Sequence, residues 1–314
     1  MTAAAIVVNH NGGDDLAHCL AALSVQTVPV EIVLVDCAST DSSRSLVTSP
    51  PERVRVLALG VNAGYAGGCA AGLAALGPEV ETVGFFNPDC FVAADFFAVC
   101  IVVLAGDMRI GGVAGRLVRP DGATLDSCGQ VLTPFALRVH DRGYGLPEGG
   151  AYLHSVQVLA ACGAAMVYRR VALEAAAVEG AVFPTEFFAF WEDLDLGWRV
   201  TNAGYRVIYE PAALAVHRRG ATASPGRGRL LTRRPPALAA GAMVNRWATL
   251  ARNLHWVDFL LRLPVLLPWD MATIVWLSLP RPAVAGALIR ALPRLRMALR
   301  ERRRLPQRRL GWLE

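Results

Sequence analysis

The most unusual stretch of the chain is Phe187-Phe188-Ala189-Phe190-Trp191-Glu192-Asp193-Leu194-Asp195-Leu196, an aromatic run followed by three acids in four positions. Acids at a helix start are stabilised by the positive end of the helix dipole, which accounts for them without any chemistry. Four aromatic rings beside Glu192 and Asp193 would also exclude water. Desolvation raises a carboxylate's affinity for a proton and suits it to act as a general base. Asp36 closes an apolar run. A carboxylate there can accept from the imide-like N–H of a pyrimidine or from a ribose hydroxyl, or it can simply serve a turn or a helix cap. Asn87-Pro88-Asp89 offers one carboxylate that can hold a divalent cation against phosphate oxygens, since a hard cation takes oxygen ligands and a diphosphate supplies several. A plain Pro-Asp turn is the alternative. In Asn62-x-Gly64-Tyr65-x-Gly67-Gly68 the glycines would let backbone approach a diphosphate at a helix N-terminus. The loop matches neither G-x-G-x-x-G nor a P-loop, because the chain has no Lys. His217, just before Arg218-Arg219-Gly220, is a lone imidazole of the type that often ligates metals.

These residues need elements to carry them. Ala4–Val8, Glu31–Val35, Val54–Leu59 and Thr82–Phe86 read as short buried strands, and each runs into one of the polar clusters. Between them, Leu16, Cys19, Leu20 and Leu23 have helical spacing over Asp15–Val25, and Cys69–Leu76 reads as a short helix. Ser39 or Asp41 is placed to cap a helix after the second strand. Alternation of strand and helix predicts an α/β fold with a mostly parallel sheet covered on both faces, whose ligands bind at the carboxyl ends of the strands. Gly111–His154 reads as irregular and Gly-rich, Val156–Tyr168 as one strand, and Trp191–Asn202 as a helix with Gly204 at its C-terminus. Tyr205–Tyr209 reads as a further strand that ends near Pro211.

Composition divides the 314 residues in two. Residues 1–215 hold 12 Arg against 22 Asp and Glu, a balance of −10, and residues 216–314 hold 19 Arg against 4, a balance of +15. Mean hydropathy is +0.38, which excludes a disordered chain. Seven Cys with no C-x-x-C pair suggest neither a disulfide framework nor a zinc cluster, but free thiols in a reducing compartment. No signal peptide is expected at the start, which reads as the first strand of a cytoplasmic protein. Ala221–Pro236 reads as a linker and Asn245–Leu263 as a helix. Pro264–Pro282 is apolar with aromatic rims, and 290–309 is basic. Met271–Ile289, the best candidate span, is broken by Pro280-Arg281-Pro282, which argues against a membrane crossing. Nucleic-acid binding would explain the Arg but not the Trp- and Leu-rich stretches. Attachment to a membrane interface explains both, and packing on the first domain or on a second subunit is the alternative.

Six stretches in order resemble family-two inverting glycosyltransferases of GT-A fold, in particular the bacterial rhamnosyltransferase-like branch. They are Val7-Val8-Asn9-His10-Asn11-Gly12, Val35-Asp36-Cys37-Ala38-Ser39-Thr40-Asp41, Asn62–Gly68, Asn87-Pro88-Asp89, Gly163–Arg170 and Phe188–Leu196, and they span about residues 3–220. The resemblance implies a GT-A domain over 1–220 with a helical extension over 221–314. It implies Asp193 as catalytic base, with Val8, His10, Asp36, Asn62, Gly64, Gly68, Asn87 and Asp89 around the donor nucleotide. Gly163, Trp191 and Glu192 would lie beside the acceptor, and Asp89 and His217 on a divalent cation, Mg2+ or Mn2+. His10 stands where the family usually has Tyr, Cys37 and Ala70 where it often has Asn, and Asn87 where its metal motif begins with Asp. A dTDP- or UDP-linked sugar, rhamnose first, would pass by single displacement to a saccharide or polyprenyl-diphosphate-linked acceptor, in cell-wall or polysaccharide synthesis at the inner face of the cell membrane. The alternatives are a nucleotidyltransferase and a catalytically silent sugar-nucleotide-binding protein.

Overall fold

The computed structural model describes residues 2–219 and 234–310; the expected linker therefore falls, up to residue 233, outside the described residues. Four parallel strands begin the main sheet: β1 (Ala3–Asn9), β2 (Val30–Cys37), β3 (Val54–Leu59) and β4 (Thr82–Phe86), in spatial order β3-β2-β1-β4. Side chains along β1 alternate faces. Ala4, Ile6 and Val8 enter one apolar cluster, while Ala3, Ala5 and Val7 enter another. Helices α1 (Asp15–Ser24) and α4 (Phe96–Gly106) cover the second face, and α3 (Gly64–Ala74), α5 (Arg170–Ala175) and α6 (Glu192–Asn202) cover the first. Burying each Val, Leu, Ile or Phe contributes about 1.5–3 kcal/mol before the entropy cost of ordering.

Beyond β4 the sheet is mixed. β11 (Ala165–Arg169) runs antiparallel between β4 and β6 (Ile110–Val118), and β12 (Arg206–His217) lies parallel to β6. β10 (Val156–Val158) and β5 (Cys90–Val92) pair with β12, and β7 (Leu125–Ser127) pairs with β6. A two-stranded sheet, β8 (Gln130–Leu132) with β9 (Val139–Asp141), stands apart.

Several sequence expectations shift here. The Gly-rich 111–154 region contains the nine-residue core strand β6; its glycines are there because a Cβ on Gly112 would collide with the Tyr168 ring, and one on Gly115 with the Phe96 ring. Val156–Tyr168 is two strands, because residues 159–164 leave the sheet, and Cys162, Gly163 and Ala164 line the cleft. Pro211 does not end β12; the strand absorbs it in a bulge between Glu210 and Leu214 and continues to His217. Neither Ser39 nor Asp41 caps α2 (Arg44–Thr48), whose N-cap is Ser43. α3 begins at Gly64, so the glycine loop is mostly helix. Gly68 and Gly72 lie against Val8 and Ile6 of β1, where a side chain would overlap the strand.

The C-terminal extension is helical. α7 (Pro236–Asn253) starts nine residues before the expected helix and stops at Leu254–His255, and α8 (Trp256–Ser278) follows with Pro264 and Pro268 inside it. α9 (Pro282–Ala291) and α10 (Pro293–Glu301) complete the extension. Thus Met271–Ile289 is not one segment, and among the described residues α8 is the helix long and apolar enough to cross a membrane by length and composition. All seven Cys are free, six of them buried.

Candidate active site

The parallel strands deliver their carboxyl ends to one rim, where a cleft of about 1070 Å³ opens. That lies at the upper end of ligand-binding clefts, roughly 300–1,000 Å³. Val8, His10, Asn62, Gly64, Asn87, Asp89, Gly163, Trp191, Glu192, Asp193 and His217 all line it. Two expected residues do not. Gly68 is buried against β1 and β2, where it serves helix–sheet contact. Asp36 is 5% exposed and sits behind the wall. The β1–β2 register sets it opposite Asn9, whose Nδ2 donates to Asp36 Oδ1 (2.8 Å), Ser39 Oγ (2.9 Å) and Ser43 Oγ (3.0 Å). Ser39 Oγ and N also donate to the Asp36 carboxylate (2.5 and 3.1 Å). Asp36 therefore organises the chain after β1 and the end of β2, which carry His10 and Cys37, whose Nδ1 and carbonyl meet at 2.7 Å.

Asp193 lies in the first turn of α6, half-buried at the cleft. Its Oδ2 accepts from Gly163 N and Gln130 Nε2, both at 2.8 Å, and its Oδ1 from Leu194 N at 2.8 Å. Burial pushes its pKa above the usual carboxylate range, against the three N–H donors that pull it down. The three acids of the motif thus have different surroundings. Asp193 faces the cleft. Glu192 is buried with Oε2 unpartnered, and burial together with the Asp193 charge pushes its pKa far up. Asp195, wholly buried, is ion-paired with Arg199 (2.8 Å) and with Arg252 of α7 (2.8 Å).

The turn before α6 is strained. Phe188, Phe190 and Trp191 have φ of 62°, 73° and 76°. Non-Gly residues in such regions cost about 1–3 kcal/mol each and persist only where the surroundings hold them. The expected aromatic screen is partly met: Phe187 is buried, while Phe188, Phe190 and Trp191 line the cleft.

Across the cleft, the β5–β12 register pairs Cys90 with His217 and so brings Asp89 beside the imidazole. Asp89 Oδ1 lies 3.4 Å from His217 Nε2, and Asp126 Oδ2 lies 2.8 Å from His217 Nδ1. Burial works against a charged imidazole, but the two flanking carboxylates outweigh it and push the pKa up to about 9. Among the described residues no cluster of three His, Cys, Asp or Glu forms a closed metal cage. The donor set instead fits a hard cation held by few protein ligands, its remaining positions left to phosphate oxygens and water, with Asp126 orienting the imidazole from behind. Sequence reasoning missed Asp126, Gln130 and Asp141, because all three fall in the region read as irregular. Asp126 is wholly buried and ion-paired with Arg219, which also reaches Asp141 (2.8 Å).

A family model described as Glycosyl transferase family 2 matches residues 4–174, more than half of the chain. An N-acetylglucosaminyl-diphospho-decaprenol L-rhamnosyltransferase of Mycobacterium tuberculosis is 27% identical over 234 residues, 68% of this chain and 74% of that one. Among solved structures, mannosyltransferase PcManGT from Pyrobaculum calidifontis, in complex with GDP-Man and Mn2+, superposes with TM-score 0.55 at 21% identity. The match covers 96% of this chain and 85% of that one. GalNAc-T7, solved with UDP, GalNAc and Mn2+, gives TM-score 0.59 at 13% identity over 82% of this chain, which spans about half (48%) of its length. At these identities the structural likenesses speak for the fold.

Proposed function

The chain belongs to glycosyl transferase family 2 and is a glycosyltransferase; from that premise we propose that it carries a sugar, rhamnose first, from a dTDP- or UDP-linked donor to a hydroxyl of a polyprenyl-diphosphate-linked saccharide, with inversion. The observation that carries this reading is Asp193. Its carboxylate is fixed by three N–H donors at the wall of the cleft and has a raised proton affinity. In that role Asp193 takes the proton of the acceptor hydroxyl as its oxygen attacks the anomeric carbon opposite the departing nucleoside diphosphate. Val8, His10, Asn62, Gly64 and Asn87 flank the nucleotide, and Gly163, Trp191 and Glu192 flank the acceptor. Asp89 and His217 would hold a divalent cation, Mg2+ or Mn2+, which when bound neutralises charge on the leaving diphosphate. The lipid-linked acceptor is taken from the activity of the mycobacterial relative. The nucleotidyltransferase alternative is set aside by the family match.

A membrane-side location fits α8, which is inverted relative to a helix of a water-soluble protein. Its acids point inward: Asp258 accepts from Arg262 (3.1 Å) and Arg309 (3.1 Å), and Asp270 accepts from Arg246 (3.2 Å) and Trp247 (3.1 Å). Leu260, Leu267, Met271, Val275 and Leu279, at helical spacing, are all more than half exposed. We read this helix as lying in the headgroup boundary at the cytoplasmic face, with the Arg-rich region meeting anionic lipid.

The test is kinetic. Asp193→Asn should abolish transfer and leave dTDP affinity with Mn2+ within a few-fold, whereas Asp89→Ala should weaken that affinity by calorimetry. Full transfer by Asp193→Asn would remove it as the base.

A further inference from the structure

The strained turn that presents Asp193 is held by a residue of the C-terminal extension. Asn245 of α7 has no exposed surface. Its Nδ2 donates to the carbonyl oxygens of Phe187 (2.9 Å), Ala189 (3.1 Å) and Phe190 (2.9 Å), so two N–H groups are shared among three acceptors. The remaining carbonyl of the turn, Phe188 O, accepts from Ala66 N (3.1 Å) in the first turn of α3. The next, Trp191 O, accepts from Asp195 N (2.8 Å) and begins α6. Every carbonyl from 187 to 191 is thereby taken, three of them by one side chain. Arg294 of α10 donates to Asn245 Oδ1 (2.9 Å), which fixes which end of the amide faces the turn. Ala248, one helical turn further along α7, packs on Phe187 and Ala66, so the amide has little freedom to withdraw.

We propose that Asn245 is a positioning residue for catalysis: the extension, through this amide, holds the 187–191 turn, with Phe188, Phe190 and Trp191 at positive φ, and so points Asp193 into the cleft. The reason lies in the backbone. Three non-Gly residues with positive φ do not keep that conformation unaided. The turn has carbonyls facing inward that need donors; Ala189 N reaches Phe187 O within the turn (2.6 Å), and among the described residues Asn245 and Ala66 supply donors from outside it. The sequence before 220 thus holds the base without holding all of the machinery that aims it. The inference rests on Asp193 being the base, and the experiment separates the two.

Asn245→Asp keeps the shape of the side chain and removes the donor, Asn245→Ala removes both, and Arg294→Gln leaves Asn245 in place while weakening its orientation. Hydrogen exchange of the full-length protein would be followed by mass spectrometry. Exchange in peptides covering 187–195 should accelerate at least about 10-fold in both Asn245 variants and less in Arg294→Gln, with strands β1, β4 and β11 unchanged. Transfer from dTDP-rhamnose should show kcat lowered about 10-fold or more in the Asn245 variants, with donor KM and dTDP affinity within about 3-fold. Unchanged exchange in 187–195, or faster exchange there with kcat intact, overturns the proposal. If Asn245→Ala fails to fold, Asn245→Asp and Arg294→Gln decide by the same criteria. Wild-type transfer by Asp193→Asn would defeat the base reading alone, and the exchange result would still decide what Asn245 holds.

Discussion

Glu192 and Asp193 are neighbours in sequence, yet the cleft treats them differently. Asp193 has three donors, and Glu192 has an unpartnered oxygen in a buried setting. For Glu192 the folded pKa lies above its unfolded value near 4.5. Its stabilising contribution is therefore complete below about 4.5 and is lost as pH rises through the folded pKa. Glu192→Gln should raise the melting temperature at pH 8, with the gain shrinking as the pH approaches 4.5. Scanning calorimetry at the two ends of that range would check this, and an equal shift at both would contradict it. By the same sign, protonation of Asp193 should set an acid limb in the transfer rate above the ordinary carboxylate range.

At the scale of elements, local pattern makes a feature legible. The first four strands announce themselves because each is an apolar run ended by a polar cluster, and the parallel order then puts those clusters on one rim. Features that depend on partners far away in the chain stay hidden. Gly64, Gly67 and Gly68 read as a phosphate cradle, and the sequence does not show that Gly68 also packs closely against Val8 of β1. β6 escapes notice because its glycines are selected by the rings of Tyr168 and Phe96. The sequence places Asp36 at a strand end but cannot show that Asn9 and Ser39 engage it there. Asp195 stands in the same acidic run as Asp193, yet it joins α6 to α7 through Arg252, which also reaches Glu301 (2.7 Å). Breaking a buried pair typically costs about 3–5 kcal/mol. Arg252→Ala should lower unfolding free energy by about 3 kcal/mol, the lower end because Arg199 still faces Asp195, and urea denaturation would measure it.

For the whole molecule, the split in composition between an acidic front and a basic, apolar back is real in the sequence but is not a split in packing. Arg246 of α7 donates to the carbonyls of Ala136 (2.8 Å) and Leu137 (3.1 Å), and Asn202 of α6 donates to the Asn253 carbonyl (3.2 Å). A fragment ending at residue 220 would lose Asn245 and Arg252 along with α8, so it is a poor test of lipid attachment. Substitution on the exposed stripe is cleaner. Leu267→Glu with Val275→Glu should reduce partition onto phosphatidylglycerol-containing vesicles by more than about 10-fold, since each apolar side chain transferred contributes about 1.5–3 kcal/mol. Sedimentation with vesicles reads this out, and unaltered partition would leave the stripe without a lipid role.

The distribution of thiols has a practical corollary. Six of the seven sulfhydryls are shut in the interior, while Cys162 is partly exposed on the wall beside Gly163. Burial holds its pKa high, so alkylation should be slow at neutral pH and faster in alkali. A small maleimide should therefore tag this one sulfur first. Occupancy of the crevice by dTDP with Mn2+ should shield it, giving the native chain an intrinsic footprinting handle that needs no engineered label.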